Sequence, residues 1–297
     1  ELTMEIAKGM NEQTEGPFKD FSLNDDEMRE LSIAAWLHDI GKIVTPEYVI
    51  DKSKKLEKLF DLAHLITTRY EIFKRDLLIK ALQDEIKDIA DEKTRKRIEA
   101  TIEAQSKMLD EEKEFIVSCN QPGEFMDDEK IARLKKIASK TWDCDGLKVP
   151  YLTEDEIYNL SVKKGTLTPE ERKIIENHSL VTFKMLSKLP FPKKLKRVID
   201  FATSHHEKLN GTGYPFGLSS EQIPYPARII AIADIFEALT ASDRPYKKPM
   251  TISQALKILG MLEEEGHIDG DILRIFIKEK IYTSYAEREL NPNQIDC

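Results

Sequence analysis

Long apolar runs are missing from this chain of 297 residues. No stretch of 18 consecutive apolar residues occurs, which excludes a helical membrane span. Cysteine is scarce as well. Cys119, Cys144 and Cys297 are odd in number and follow no pattern, so they offer neither a disulfide framework nor a thiolate zinc site. The expected compartment is the reducing cytoplasm. An excess of basic residues is also lacking: 45 Lys and Arg stand against 54 Asp and Glu, a net charge of −9. That balance excludes a nucleic-acid polymer as partner, whereas a small anionic substrate stays open because bound metal ions invert the local electrostatics. The chain opens at Glu1, inside a helical pattern and without a start Met, so further residues and a sensor domain are expected upstream.

What is present is helical periodicity, and strand alternation is nearly absent. Hydrophobic content of 40% suffices for one large core or two ordinary ones. Residues 1–18 predict a helix running into a Gly-Pro loop. Asn24 and Glu27 form a capping-box pattern for the next helix. Along it Met28, Leu31, Ala35 and His38 share one stripe, with Asp39 next and Gly41 ending the helix.

Residues 53–162 change character. Leu59, Ala63, Ile66, Tyr70, Phe73 and Leu77 follow a heptad spacing that Leu82, Ile86 and Ile89 continue after a shift of phase. A charged stretch, Asp91 to Arg97, predicts a hairpin tip or a kink, and Ile98, Ile102, Leu109 and Ile116 predict a returning helix. A short helix through Ile131, Leu134 and Ile137 and a loop from Asp143 to Pro150 complete an antiparallel helical insertion. It either packs on itself or forms a homodimer or other contact.

The helical pattern resumes with Thr168 as N-cap, Pro169 at the first helical position and Glu171 two residues later. Ile174, His178, Val181 and Met185 share its buried face. A helix through Leu195, Val198 and Ala202 leads to His205 and His206, followed by a turn with Gly211, Gly213, Tyr214 and Pro215. Pro226 opens a helix aligning Ile230, Asp234 and Glu237, and Arg244 to Lys247 leave it as a loop. Two amphipathic helices, around 251–264 and 271–282, finish the chain, with Gly266 as the stop of the first. The fold class is all-α.

A lone histidine on an apolar stripe is ordinarily a hydrogen-bonded core residue. Here His38, His178, His205 and His206 are four of six histidines, and all lie on or at the end of buried stripes. Asp39 and Asp234 add carboxylates in equally apolar settings. Burying six such groups is costly unless they share a compensating charge. Divalent metal supplies it, and nitrogen and oxygen donors without thiolate suit Fe, Mn, Zn or Ni. Helical neighbours diverge by about 100°, so His205 and His206 are expected to serve two metals rather than one, with Asp39 bridging. Two metals a few ångströms apart suit hydrolysis of a phosphodiester by an activated water.

The combination of His38-Asp39-Ile40-Gly41-Lys42, His205-His206-Glu207, Gly213-Tyr214-Pro215, Ala233-Asp234 and Arg244-Pro245-Tyr246-Lys247 resembles the HD-GYP family, the bacterial cyclic di-GMP phosphodiesterases of the HD hydrolase superfamily. The resemblance covers residues 1–52 and 163–297, one discontinuous HD-type helical bundle interrupted by the 53–162 hairpin. It implies His38, Asp39, His178, His205, His206 and Asp234 as ligands of two divalent ions, Fe or Mn. Asp39 would bridge them and Lys42 would meet the scissile phosphate. Arg244 and Lys247 would contact substrate phosphate or base, and Gly213 and Tyr214 would shape the pocket. Glu207 is expected to orient an imidazole, and His64 and His267 to be structural. Asn210 and Glu237 stand where the family commonly has Asp. A third ion would need an upstream His or Glu outside this chain. The implied substrate is a cyclic dinucleotide, cyclic di-GMP first and 3′,3′-cyclic GMP-AMP as the alternative. The rival readings are a general HD phosphohydrolase acting on dNTPs or (p)ppGpp and a catalytically silent nucleotide-binding module.

Overall fold

The computed structural model describes residues 1–87, 92–144, 146–242 and 249–297. In chain order the elements are α1 (Leu2–Asn11), α2 (Asp25–Leu37), α3 (Glu47–Ile50), α4 (Ala63–Lys87), α5 (Glu92–Cys119), α6 (Asp128–Ala138), β1 (Thr141–Cys144), β2 (Leu147–Pro150), α7 (Glu154–Leu160), α8 (Pro169–Leu186), α9 (Val198–Thr203), α10 (Tyr225–Thr240), α11 (Ile252–Glu264), α12 (Gly270–Lys278) and α13 (Thr283–Glu289). The protein is all-α apart from one antiparallel ribbon among the described residues. Two compact units divide it: Glu1–Pro46 with Lys173–Cys297, and Glu47–Arg172.

The first unit is built around α10. This helix buries Ala227, Ile229 to Ala233 and Phe236, so it is apolar on nearly every side, the pattern of a helix at the centre of a core. Leu2, Ile6 and Met10 of α1, Leu31 and Ala34 of α2, and Ile272 and Phe276 of α12 join the same cluster. Helix ends follow local chemistry. Asn24 accepts the Glu27 amide at 3.1 Å while Glu27 accepts the Asn24 amide at 3.0 Å, the reciprocal cap read from sequence. Thr168 and Glu171 exchange the same pair ahead of α8. After α11, Gly266 takes φ +70°. Its amide reaches the Glu263 carbonyl at 2.9 Å and the next amide, His267, reaches Leu262 at 2.8 Å, a Schellman stop.

Several boundaries differ from the sequence reading. The first helix ends at Asn11, and residues Gly16–Phe18 form only a short 3-10 turn. The last periodic stretch is two helices, because Lys280 repeats the Schellman geometry at φ +48° and turns the chain before α13. Helix α2 stops at Leu37, and Gly41 lies inside a following 3-10 turn, Ile40–Val44. Helix α9 is only six residues long, so His205 and His206 lie beyond its end.

The second unit has its own core. Ion pairs Glu71–Lys113 and Lys74–Asp110, at 2.8 and 3.0 Å, descend one helix as they ascend the other, which makes α4 and α5 an antiparallel hairpin. Ile66, Tyr70 and Phe73 face Leu109 and Ile116, and α6, α7 and the residue that follows β2 close over them with Leu134, Leu160 and Tyr151. The expected seam is shorter at both ends: Leu59 precedes α4 and is 88% exposed, and Leu82 is 48% exposed. Ile89 and Asp91 lie outside the described residues. The stretch expected as a loop, Asp143 to Pro150, contributes instead to β1 and β2, which pair Trp142 with Val149. Trp142 stacks on Phe73 at 4.8 Å and donates its indole N–H to Asp76 at 2.8 Å. These contacts make a strand of a turn-rich sequence.

The Tyr70 hydroxyl is buried within this unit without a hydrogen-bond partner among the described residues, a costly arrangement. Tyr70→Phe is therefore expected to raise stability by about 1 kcal/mol, read from denaturant unfolding; a destabilised variant would show that the hydroxyl is satisfied.

Candidate metal centre

Three imidazoles in the first unit are aimed by the same local device. His38 Nδ1 lies 2.7 Å from the Ala35 carbonyl, His178 Nδ1 2.5 Å from Ile175 and His205 Nδ1 2.6 Å from Ala202. A carbonyl only accepts, so Nδ1 carries a proton in each ring and Nε2 is left facing away from that carbonyl. Each partner carbonyl lies three residues back; those of Ala35 and Ala202 are in the last turns of α2 and α9, where such oxygens lack intrahelical donors, whereas that of Ile175 lies inside α8 and is shared with the helical ladder.

The second device brings α8 against the end of α2. The Gly41 amide donates to Thr182 Oγ1 at 3.0 Å, and that hydroxyl donates to the His38 carbonyl at 3.2 Å. A Cβ on Gly41 would stand 2.0 Å from the His178 carbonyl oxygen and 2.7 Å from the Thr182 amide. Only glycine allows this approach. It carries His178 Nε2 to 3.3 Å from Asp39 Oδ1. Thr182 had no place in the sequence reading; its one signal is a polar side chain one helical turn beyond His178.

Six side chains converge as expected, though in a different grouping. Ligand atoms of Asp39, His178, His205 and His206 lie within 4.8 Å of one another, and so do those of His38, Asp39 and Asp234. Asp39 belongs to both sets. His205 and His206 thus serve one set together, because beyond the end of α9 the helical divergence no longer applies. Lys42 Nζ lies 2.5 Å from Asp39 Oδ2. Arg244 and Lys247 lie outside the described residues. His64, in the second unit, contacts the Asp61 carbonyl, and His267 approaches Glu265 and Lys208, so neither joins the cluster.

Electrostatics prepares these groups as ligands. Burial, with His206 and His38 nearby, holds the His205 imidazole well below its ordinary pKa. Burial lowers His206 to about 4. Both are therefore neutral near pH 7. Burial pushes Asp39 and Asp234 up, but their neighbours outweigh it: His178, His38 and Lys42 hold Asp39 below the carboxylate range, and His38, His205 and His206 do so for Asp234. Burial pushes His38 down, yet Asp234 and Asp39 more than reverse it. The residues fit divalent ions on a geometric ground as well. Among the described residues His38 Nε2, His205 Nε2 and Asp39 Oδ1 are buried without hydrogen-bond partners, all facing the cluster. Two donors on one ion, each at about 2.0–2.2 Å, lie no more than about 4.4 Å apart, close to the spacing found.

The turn beyond His206 is held by Glu207. Its buried carboxylate accepts the Phe216 amide at 2.7 Å and the Leu218 amide at 2.9 Å. The expectation that Glu207 orients an imidazole is therefore corrected: backbone carbonyls do that, and Glu207 folds the turn. Gly213 packs against the same residue, since a Cβ there would stand 2.3 Å from the Lys208 amide and 2.4 Å from Glu207 Cα. The turn sets the Tyr214 ring 4.8 Å from that of His206. Asn210 donates its amide to the Glu265 carbonyl at 2.9 Å, a bond that a carboxylate could not make.

Comparison with known proteins gives a consistent result. HD domain family models match residues 1–134 and residues 147–272. A cyclic di-GMP phosphodiesterase of Pseudomonas aeruginosa is 37% identical over 148 residues, covering 50% of this chain and 33% of that protein. A cyclic di-GMP phosphodiesterase of Thermotoga maritima is 36% identical over 129 residues, 43% of this chain and 34% of the relative. A 3′3′-cGAMP-specific phosphodiesterase of Vibrio cholerae is 44% identical over 105 residues, 35% of this chain and 21% of the relative. The matched part thus spans about a third or less of each relative's length.

Two outcomes follow. Gly41→Ala is expected to cost about 1–3 kcal/mol or more through overpacking and to lower metal content, because His178 is displaced; plasma emission analysis beside a thermal melt reads both. Metal uptake is expected to strengthen as pH rises through and beyond the ordinary imidazole value of 6.5, since His38 holds its proton above that value and must release it to bind. Anaerobic Mn(II) titration followed by electron paramagnetic resonance between about pH 6 and 8.5 checks this, and a pH-independent affinity would refute it.

Proposed function

The chain belongs to the HD-GYP family of HD domain proteins, and on that premise we propose that it is a metal-dependent phosphodiesterase that opens a cyclic dinucleotide, cyclic di-GMP foremost. The observation that carries the proposal is the pair of ligand sets sharing Asp39. Two ions would be held there, one by Asp39, His178, His205 and His206 and the other by His38, Asp39 and Asp234. Nitrogen and oxygen donors without thiolate suit Fe, Mn, Zn or Ni, and the family resemblance narrows the proposal to Fe or Mn. Bound there, such ions supply Lewis acidity toward a phosphoryl oxygen and a water acidic enough to attack phosphorus.

The remaining work falls to the protein. Lys42, partly exposed beside Asp39, is placed to neutralise charge that builds on the phosphate. Buried, neutral His205 and His206 bind without first losing a proton at neutral pH. Tyr214 and Gly213 form a wall of the site beside His206, held by Glu207. Arg244 and Lys247 are proposed as contacts to substrate phosphate or base. In this reading the catalytic unit is discontinuous, residues 1–52 with 163–297, and residues 53–162 are an interaction or dimerisation element with a core of its own. An upstream sensor domain fits such a signalling enzyme.

A second substrate, 3′,3′-cyclic GMP-AMP, is favoured by the identity to the Vibrio cholerae enzyme named for it. Anaerobic reconstitution with Fe(II) or Mn(II), followed by turnover of each cyclic dinucleotide, separates the two. Wild-type protein is expected to produce the linear dinucleotide, Asp39→Ala to lose activity and metal together, and Lys42→Ala to keep its metal while kcat falls about 10²-fold. Less than one metal ion per chain after reconstitution would favour the silent module instead.

A further inference from the structure

A second concave site lies in the first unit, in a cavity of about 590 Å³ that none of the six cluster residues lines. Its size falls in the range of small-molecule sites. The walls are aromatic. Phe183 and Phe216 meet edge to face at 5.5 Å, and Phe21 and Tyr225 do so at 5.6 Å. Phe216 is 46% exposed, so its ring surface is free to receive a flat ligand, whereas Tyr225 carries the Arg228 guanidinium 4.7 Å from its ring centroid and serves as the rim.

The polar equipment is specific. Arg197 is already committed, with Glu27 at 3.0 Å and Glu30 at 2.8 Å, so the cavity has no spare cation for an anionic ligand. Asp200 is the reverse. Its carboxylate has neither an ion pair nor a hydrogen bond among the described residues, and burial pushes its pKa up. Gln222 accepts the Ser219 amide through its side-chain oxygen at 2.9 Å, which leaves its two amide N–H groups unused. The site therefore presents flat apolar faces, a carboxylate that accepts two adjacent N–H groups, and an amide that donates to a carbonyl. Among the common nucleobases only guanine carries N1–H and the 2-amino group side by side with the O6 acceptor next to them. Adenine offers no N1–H and no O6.

We propose that this cavity binds a guanine base, held between the aromatic walls with its N1–H and 2-amino edge on Asp200 and its O6 on the Gln222 amide. Ser204 lines the same cavity directly before His205, and Phe216 is one of the two amides clamped by Glu207. Occupancy is thus felt at both ends of the segment that carries His205, His206 and Tyr214.

Guanosine is the decisive probe, because without a phosphate it has no handle on a metal centre. Calorimetric titration of the metal-loaded chain is expected to show saturable guanosine binding, at least tenfold weaker for inosine, which lacks the 2-amino group, and weaker still for adenosine. Asp200→Asn is expected to lose at least tenfold in guanosine affinity, and Phe216→Ala a similar factor through lost stacking. Both variants should melt within a few degrees of wild type, since both side chains are partly exposed. Adenosine binding as well as guanosine, guanosine affinity unchanged in Asp200→Asn, or no saturation up to the solubility limit would each overturn the site. Failure of cyclic dinucleotide turnover would leave this result untouched, so the two readings fall separately.

Discussion

One carboxylate organises the first unit. Asp39 stands where His178, His205 and Lys42 approach it and where a second set, with His38 and Asp234, begins. An anion so placed is stabilised only while cations or ligand-bearing ions surround it. Everything that aims those neighbours is therefore under constraint: the short α9, the 3-10 turn after α2, and the contact between Gly41 and α8. That contact is the narrowest. A glycine without a side chain and a threonine with a hydroxyl are required at one point, since the backbone of one segment touches that of the other. The site is as rigid as that crossing.

How the imidazoles are oriented explains why a run of short helices suits this chemistry better than long ones. A carbonyl inside a long helix is occupied by the amide four residues on, whereas one in the last turn is available. Ala35, Ile175 and Ala202 each give their carbonyl to a histidine three residues later. Two of these histidines lie at or past the end of a helix. The third, His178, sits inside α8, where its ring shares a carbonyl already in the helical ladder. Ending α2 and α9 early is thus part of building the centre.

Much of this was legible in the sequence. His38, His178 and Asp234 fall on apolar stripes, and periodicity reports which face is buried. The caps of α2 and α8 were equally plain, since reciprocal capping involves residues three apart. What was not legible depends on partners distant in the chain. Nothing near Glu207 says that its carboxylate will receive amides from residues 216 and 218, because a carboxylate after two histidines reads just as well as an imidazole partner. The end of α9 depends on where the chain must turn to bring His205 beside Asp39, and that target lies more than 160 residues away. In the second unit, β1 and β2 arise because Trp142 finds Phe73 and Asp76 on α4. No local pattern in 141–150 foretells that.

The pattern of satisfied and unsatisfied atoms bears on what the centre is for. In the turn around Glu207 every carboxylate oxygen has a donor, and Asn210 spends both ends of its amide. At the cluster His38 Nε2, His205 Nε2 and Asp39 Oδ1 have none among the described residues. A protein that satisfies buried polar groups this fully beside its site would not leave three facing one another for packing reasons alone, given what each costs. Ion pairing serves His38, whose proton Asp234 and Asp39 retain, but not His205. Burial keeps His205 neutral, so it brings no positive charge to Asp39 and offers instead a lone pair. Lone pairs from nitrogen and oxygen directed at a common point repel each other unless a cation occupies it. The same three atoms that would destabilise an apolar core are the ones that a divalent ion requires.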